Sequence, residues 1–298
     1  MESVLLGVDF SSAPTAHKPI TAAVGCLLGH GQRPMYRLDT IRTLPTLLAF
    51  EAFLAESGPW LGGFDLPFGQ PRTLIEHEGW PTEWTECVEF FCSQPRESLR
   101  AVFKRWCDAR PAGDKFAWRA ADKPAGSSPA MRWTNPPVAW MMHAGIGRML
   151  ASGLTFPAHR HNLPTAHAAA TARIALESYP GFTARQVCRT SYKSDAAANQ
   201  TPDRQRNRES ILAALVAGTA GLTVTLAIDS AWTMRLVADG SGDLLDAVIC
   251  ALQAGHAAAL PDYGLPAAVD PLEGWIASVP PPGDDQRQSL GGADRPRP

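Results

Sequence analysis

Three short apolar runs in this chain each end on an acid and then break at a proline. The first, Val4 to Val8, delivers Asp9, with Ser11, Ser12 and Pro14 behind it. The second, in GPWLGGFDLPFGQP, delivers Asp65 ahead of Pro67, and the third, in TARIALESYPG, delivers Glu177 ahead of Pro180. Short apolar runs bounded by turn residues read as buried strands. A buried carboxylate is costly unless something compensates it. The chain must therefore gather its strand ends around a compensating group or cover each acid separately.

The order of elements narrows the choice. Residues 3–10 read as a buried strand, ITAAVGCLL at 20–28 as a second, and MYRLDTIR at 35–42 as a third with rough alternation. LPTLLAFEAFLAES has Pro45 early and apolar residues at helical spacing, so it reads as a helix ending before Gly58-Pro59. The GFD strand follows, giving β-β-β-α-β. That helix is long enough to return the chain for a strand parallel to an earlier one. Residues 70–170 differ in texture. They hold Trp80, Trp84, Trp106, Trp118, Trp133 and Trp140, with Trp60 just before, many prolines and much of the basic charge. Helices are expected near 84–92, 96–107 and 137–152, a long loop over 108–135, and the whole window (70–171) as a helical insertion. From 172 the α/β pattern resumes with the IALESYPG strand, a short helix near 183–189 and a helix over about 203–219. Thr201-Pro202-Asp203 starts that last helix and Gly218 stops it. GDLLDAVICALQAGHAAAL, 242–260, reads as an apolar final helix. The expected fold class is thus α/β, a mixed five-stranded sheet from 1–69 and 172–279 flanked by helices. The Pro-, Gly- and charge-rich end, 280–298, is expected to be disordered.

Composition excludes several classes. At 298 residues and 45% hydrophobic content, the chain can bury a large core. A formal net charge of −2 gives no global bias toward nucleic acid or membrane. No charge-free apolar stretch reaches the ~18 residues of a membrane span. Glu2, Asp9 and the lack of a basic start argue against a signal peptide. Cys26, Cys87, Cys92, Cys107, Cys188 and Cys250 form no CxxC pair and read as reduced thiols of a cytoplasmic protein, without a zinc site.

The final helix adds two more acids. Asp243 and Asp246 are three residues apart, so they share a helix face. Asp243 has a bland explanation as a cap or dipole partner; Asp246, a turn further in among apolar residues, does not. Carboxylates gathered from two strand ends and this helix repel one another unless a cation sits among them. Oxygen-only ligands suit Mg²⁺ or Mn²⁺. Two such ions in an acidic cluster are one route to phosphodiester cleavage.

GVDFSSAP, GGFDLPFG, ESYPG, SYK with a following arginine-rich helix, and GDLLDAVICALQA together resemble the DUF429 family, predicted nucleases with a ribonuclease H-like fold. The last helix is also similar to that of RuvC-type resolvases, where two acids three apart precede small apolar residues. The resemblance covers roughly 3–69 and 172–277, including EGWI, and leaves 70–170 unmatched. It implies that Asp9, Asp65 and Asp246 are metal ligands for Mg²⁺ or Mn²⁺. It implies further that Glu177 and Asp243 are additional acids near the metal, and that Lys193 is a cation near the scissile phosphate. The partner it implies is nucleic acid, DNA or RNA.

Other signals carry less. Arg100, Lys104, Arg105, Arg110, Lys115, Arg119, Lys123 and Arg132, interleaved with Trp106, Trp118 and Trp133, would suit a single-strand platform, or a loop anchored by core tryptophans. Arg185, Arg189, Lys193, Arg204, Arg206 and Arg208 form a second basic cluster or a solvated helix face. His159, His161 and His167 lack zinc spacing. The GIG at 145–147 reads as close helix packing. Ser11 and Ser12 suggest an actin-like kinase, but their turn lacks glycine and no second glycine-rich phosphate hairpin follows. Two readings remain: a metal-dependent nuclease, and a binding protein that keeps the acidic pocket without turnover.

Overall fold

The computed structural model describes residues 3–29, 34–165 and 171–281. Strands β1 (Ser3–Asp9), β2 (Ile20–Leu28) and β3 (Met35–Leu44) form an antiparallel meander. Strands β4 (Trp60–Asp65) and β5 (Arg173–Glu177) add in parallel beside β1. A sixth strand, β6 (Thr225–Ala227), pairs in parallel with β3, so the sheet order is β5-β4-β1-β2-β3-β6. The expectation of five strands is corrected to six. At three residues β6 is too short to show a period, and only its partner at the sheet edge makes it a strand.

Ten helices of the described residues flank the sheet. They are α1 (Leu47–Leu54), α2 (Arg72–Glu78), α3 (Trp84–Ser93), α4 (Arg96–Asp108), α5 (Asp122–Ala125), α6 (Val138–Ala151), α7 (Pro180–Val187), α8 (Pro202–Ala217), α9 (Ser230–Ala238) and α10 (Asp243–Ala258). Local chemistry explains their starts. Thr46 caps α1 by accepting from the Ala49 N–H, and Thr201 caps α8 by accepting from Arg204. Pro180 stands at the first turn of α7, where a missing N–H costs nothing. That places the helix three residues earlier than its apolar spacing suggests. Three helices were not anticipated: α2, which ends at Gly79, α5, inside the stretch read as loop, and α9, whose cap Asp229 accepts from the Trp232 N–H.

The sheet has two apolar faces. Leu6, Val8 and Phe64 share one core cluster with Phe50 and Phe53 of α1 and with Trp84, Phe91, Phe103 and Trp140 from the helical window. Leu5, Leu61 and Leu176, of opposite parity, pack with α8, α9 and α10. Helix α10 lies directly on the strands because two glycines leave room. A Cβ on Gly7 would fall 2.0 Å from the Ala247 carbonyl oxygen and 2.2 Å from the Ala251 nitrogen. A Cβ on Gly63 would fall 2.3 Å from the Cys250 carbonyl oxygen. No helix of the described residues is long and apolar enough to cross a membrane. Residues 282–298, where disorder was expected, lie outside the described residues.

Gly7→Ala must push α10 off β1, since the obstacle is backbone and cannot rotate away. Overpacking of this kind costs about 1–3 kcal/mol. Urea denaturation should show a fall of at least that size; an unchanged midpoint would mean that the helix does not rest on the strand.

Candidate functional site

Asp9 and Asp65 are register partners across the parallel pair β1 and β4. Alternation puts both on the face of Leu5 and Leu61, under α10. Asp246, one turn into α10 and fully buried, meets them there. Burial pushes the Asp9 carboxyl well above the usual carboxylate range, Lys193 opposes the rise, and Asp246, Asp243 and Asp65 add to it. Burial likewise lifts Asp65 to about 7, against Lys193 and with help from Asp246 and Glu177. Asp243, the first residue of α10, is raised chiefly by burial, with Lys18 opposing. Asp9, Asp65 and Asp243 line a cleft of ≈ 580 Å³ together with Lys193, and Asp246 lies buried behind them.

Asp246 has both oxygens in use. The Tyr192 hydroxyl donates to Oδ1, and the Lys193 ammonium donates to Oδ2. Desolvation works to lower the Lys193 ammonium, but Asp246, Tyr192 and Asp9 together lift it well above its usual range. The segment carrying both residues is clamped by α8. Arg208, from the second basic cluster, is buried and donates to the carbonyls of Tyr192 at 2.7 Å and Val237 at 2.8 Å. Asn207 donates to the Ser191 carbonyl at 2.9 Å. Gly242, at φ 80°, has no Cβ because one would lie 2.7 Å from the Lys193 Cβ. Capping of α10 falls to Asp239, whose carboxylate accepts from the Leu244 N–H at 2.9 Å and from Ser241. Asp243 is thereby released to face the cleft.

Glu177 reaches the same cleft from the other face of the sheet. It is the register partner of Phe64, not Asp65, and so belongs to the opposite face. Its carboxylate accepts two bonds from the buried Arg119 guanidinium, at 2.6 and 2.8 Å, and one from the Phe68 N–H at 2.9 Å. Arg119 also donates to Asp122 at 2.8 Å and to the Glu273 carbonyl at 3.2 Å. Burial raises Glu177 while Arg119 opposes the rise. This network ties the helical window to β5 and to the segment around Glu273.

Two further residues escaped sequence reasoning. Tyr192 carried no signal beyond its place in SYK. Ser178, one past Glu177, returns to the acid face and lines the cleft; its hydroxyl is buried beside Gly63 and has no hydrogen-bond partner among the described residues. Its parity within β5 was the available clue.

The remaining candidates separate cleanly. Trp106 is buried and Trp133 stacks on Phe103 at 6.0 Å, so these two serve the core, while Trp118 is half-buried with the Lys123 ammonium 5.7 Å from its ring centre. Arg185 donates to the Ala125 carbonyl at 2.6 Å. His159 is buried, held by the Pro271 carbonyl at 2.7 Å and stacked on Trp84 at 4.2 Å; burial pushes it down to about 3. His161 touches Thr85, and His167 lies outside the described residues. Gly145 of the GIG lets α6 close on Leu66 and Phe10. Ser11 and Ser12 line the cleft.

Hard oxygen donors in a half-buried, self-repelling set fit Mg²⁺ or Mn²⁺ by chemistry. Among the described residues no three His, Cys, Asp or Glu groups stand together as a ready ligand set. Ligation by Asp246 requires Lys193 to leave it. In comparison with known proteins, no family model, no curated protein and no solved structure matches this chain.

The raised Asp65 carboxyl sets a sign. An unfolded aspartate titrates near ~3.9, and the native one at about 7. The native state holds the extra proton between them, so this group's stabilisation is full below the lower value and is lost as pH rises through the upper one. Asp65→Asn removes the decline. In metal-free buffer the melting advantage of the variant over wild type should grow from pH 5 to pH 8; a constant difference would contradict the raised carboxyl.

Proposed function

We propose that this chain is a metal-dependent phosphodiesterase acting on nucleic acid, a nuclease with a ribonuclease H-like core. The observation that carries the reading is the side-by-side placement of Asp9 and Asp65 on β1 and β4, facing the buried Asp246 of α10 at a cleft. The run β3-β2-β1-β4-β5 supports it, with acids on the first strand, the fourth strand and a late helix; β6 extends the far edge. Four carboxyl groups around one ammonium, with Asp9 and Asp65 pushed above the usual carboxylate range, form a set whose ionised form a divalent cation would stabilise.

Asp9, Asp65 and Asp246 would hold Mg²⁺ or Mn²⁺, with Asp243 beside them. When bound, the ion neutralises charge on the phosphodiester and favours attack by water. In the hydrolysis, water's oxygen bonds to phosphorus, one phosphorus–oxygen bond to a sugar breaks, and the leaving oxygen gains a proton. Lys193, whose side chain is 40% exposed, is placed to turn from Asp246 toward a phosphate oxygen. Glu177 acts through Arg119 by holding the cleft wall. The Lys193–Asp246 pair is also the observation favouring the rival reading, since an internal cation lets the pocket persist without turnover.

Two measurements test this. Mn²⁺ should raise the melting temperature of wild type, because it binds the native acid cluster and not the unfolded chain, and Asp65→Asn should blunt the rise. A melting curve indifferent to Mn²⁺ would remove the metal site. Asp9→Asn keeps the shape and loses the charge. Cleavage of labelled nucleic acids should fall by at least ~100-fold, the scale of losing one preorganised charge-stabilising group, with the fold intact. Lys193→Ala should weaken cleavage without abolishing it. Cleavage at wild-type rate in Asp9→Asn would place the activity elsewhere; binding without cleavage would favour the rival.

A further inference from the structure

We infer, on the hydrolase reading above, that the substrate is a single-stranded phosphodiester of one to two nucleotides, a free dinucleotide or a strand end. Its phosphate meets the acid floor beside Ser178, and its base packs on the start of α6. Three observations carry this.

The first is size. The cleft holds ≈ 580 Å³, the class of pocket that encloses one small ligand, about 300–1,000 Å³. One base pair of duplex alone displaces roughly 1,000 Å³, from a rise of ~3.4 Å and a width of ~20 Å. The cleft is walled on both sides. Pro136, Val138 and Met141 at the start of α6 give an apolar wall suited to a base, and the opposite wall is the segment of Ser191, Lys193 and Asp195. Lys18, from the β1–β2 connection, forms an ion pair with Asp195 beside that wall.

The second is charge. Duplex binding needs a row of cations against successive phosphates. Arg119, Arg185 and Arg208 are instead spent on internal acceptors, and Lys104, Arg105 and Arg206 pair with carboxylates. Serines replace cations along the cleft, at positions 11, 12, 128 and 194 as well as 178, while the hydroxyls of Ser127, Ser191 and Ser241 are held by Asp122, the Lys193 carbonyl and Asp239. They suit a ligand with one or two phosphates and a sugar.

The third is Ser178. A buried hydroxyl without a partner loses the hydrogen bonds it had in water. Ser178 lies on the same face as Asp9 and Asp65 and is among the residues lining the cleft, with its hydroxyl at the inner end beside Gly63 and the Cys250 carbonyl; a phosphate or sugar oxygen that reached this end would complete it.

The test gives wild type, with Mn²⁺, four labelled probes: a dinucleotide, a linear single strand, a circular single strand and a blunt duplex. The dinucleotide should be hydrolysed, with circle and duplex at least ~100-fold slower. Shortening of the linear strand from one end marks a strand terminus as the source; its persistence marks a free dinucleotide. Circle or duplex cut as fast as the dinucleotide overturns the substrate class and leaves the hydrolase reading standing. If no probe is cut, the hydrolase reading fails, and dinucleotide binding, followed by fluorescence anisotropy, decides the pocket. Binding that weakens about tenfold in Ser178→Ala supports it. No binding, or binding unchanged in Ser178→Ala, overturns it. Ser178→Ala removes an atom that holds nothing else together, so its fold is expected to match wild type.

Discussion

Everything at this site depends on how closely α10 lies on β1 and β4. Gly7 and Gly63 remove the side chains that would hold the helix away, and backbone rests on backbone. That contact buries Asp246 against the ends of two strands that each carry an acid. Like charges about 4 Å apart at an effective dielectric constant near 20 repel by about 4 kcal/mol, so such a gathering persists only if packing elsewhere outweighs it. The apolar surface of both sheet faces supplies that packing, and Lys193 offsets part of the repulsion. Burial first, and the neighbouring acids after it, lift Asp9 and Asp65 above the usual carboxylate range.

The two faces of the sheet handle their acids in opposite ways. Glu177 is fully satisfied: Arg119 and the Phe68 N–H use both of its oxygens, and Asp122 and the Glu273 carbonyl complete Arg119. One guanidinium here holds two carboxylates at the cleft wall, and breaking such a pair leaves an uncompensated buried charge. The acid face is under-compensated, with one ammonium among four carboxylates, and it opens to a cleft. A structural ion-pair network needs no opening to solvent. An excess of carboxylate beside a cleft has a use only if a cation or a cation-bearing ligand enters.

Much of this was readable in the sequence, and the failures have physical causes. β1, β2 and β4 were visible as apolar runs because burial on both faces leaves no polar alternation to confuse them. The acids at their ends stood out for the same reason. What sequence could not supply was register. Glu177 ends an apolar run just as Asp65 does, yet one residue of register moves it to the other face. Parity within β5 separates Glu177 from Ser178, but which of them faces Asp65 depends on the partner strand. Arg119 and Arg208 read as surface charge because a buried arginine looks like any other until its carboxylate and carbonyl acceptors are in place. β6 and α9 were missed because a three-residue strand and a nine-residue helix carry too little periodicity.

The low net charge also finds its place. A protein that grips long nucleic acid gathers cations on one surface, yet this chain carries 27 basic against 29 acidic side chains. Many of the arginines that tempted such a reading are internal struts. Arg119 holds the helical window to β5, Arg208 holds the Tyr192–Lys193 segment to α8, and Arg185 holds α7 to the end of α5. The helical window therefore does two things. Its aromatic residues complete the core on one face of the sheet, and the start of α6 walls the cleft on the other side of the acids. A wall so close to the acid floor leaves space for one phosphodiester and the group attached to it. Recognition then falls to short-range contacts, hydroxyls and an apolar wall, which a small ligand can satisfy and which need no long-range positive field.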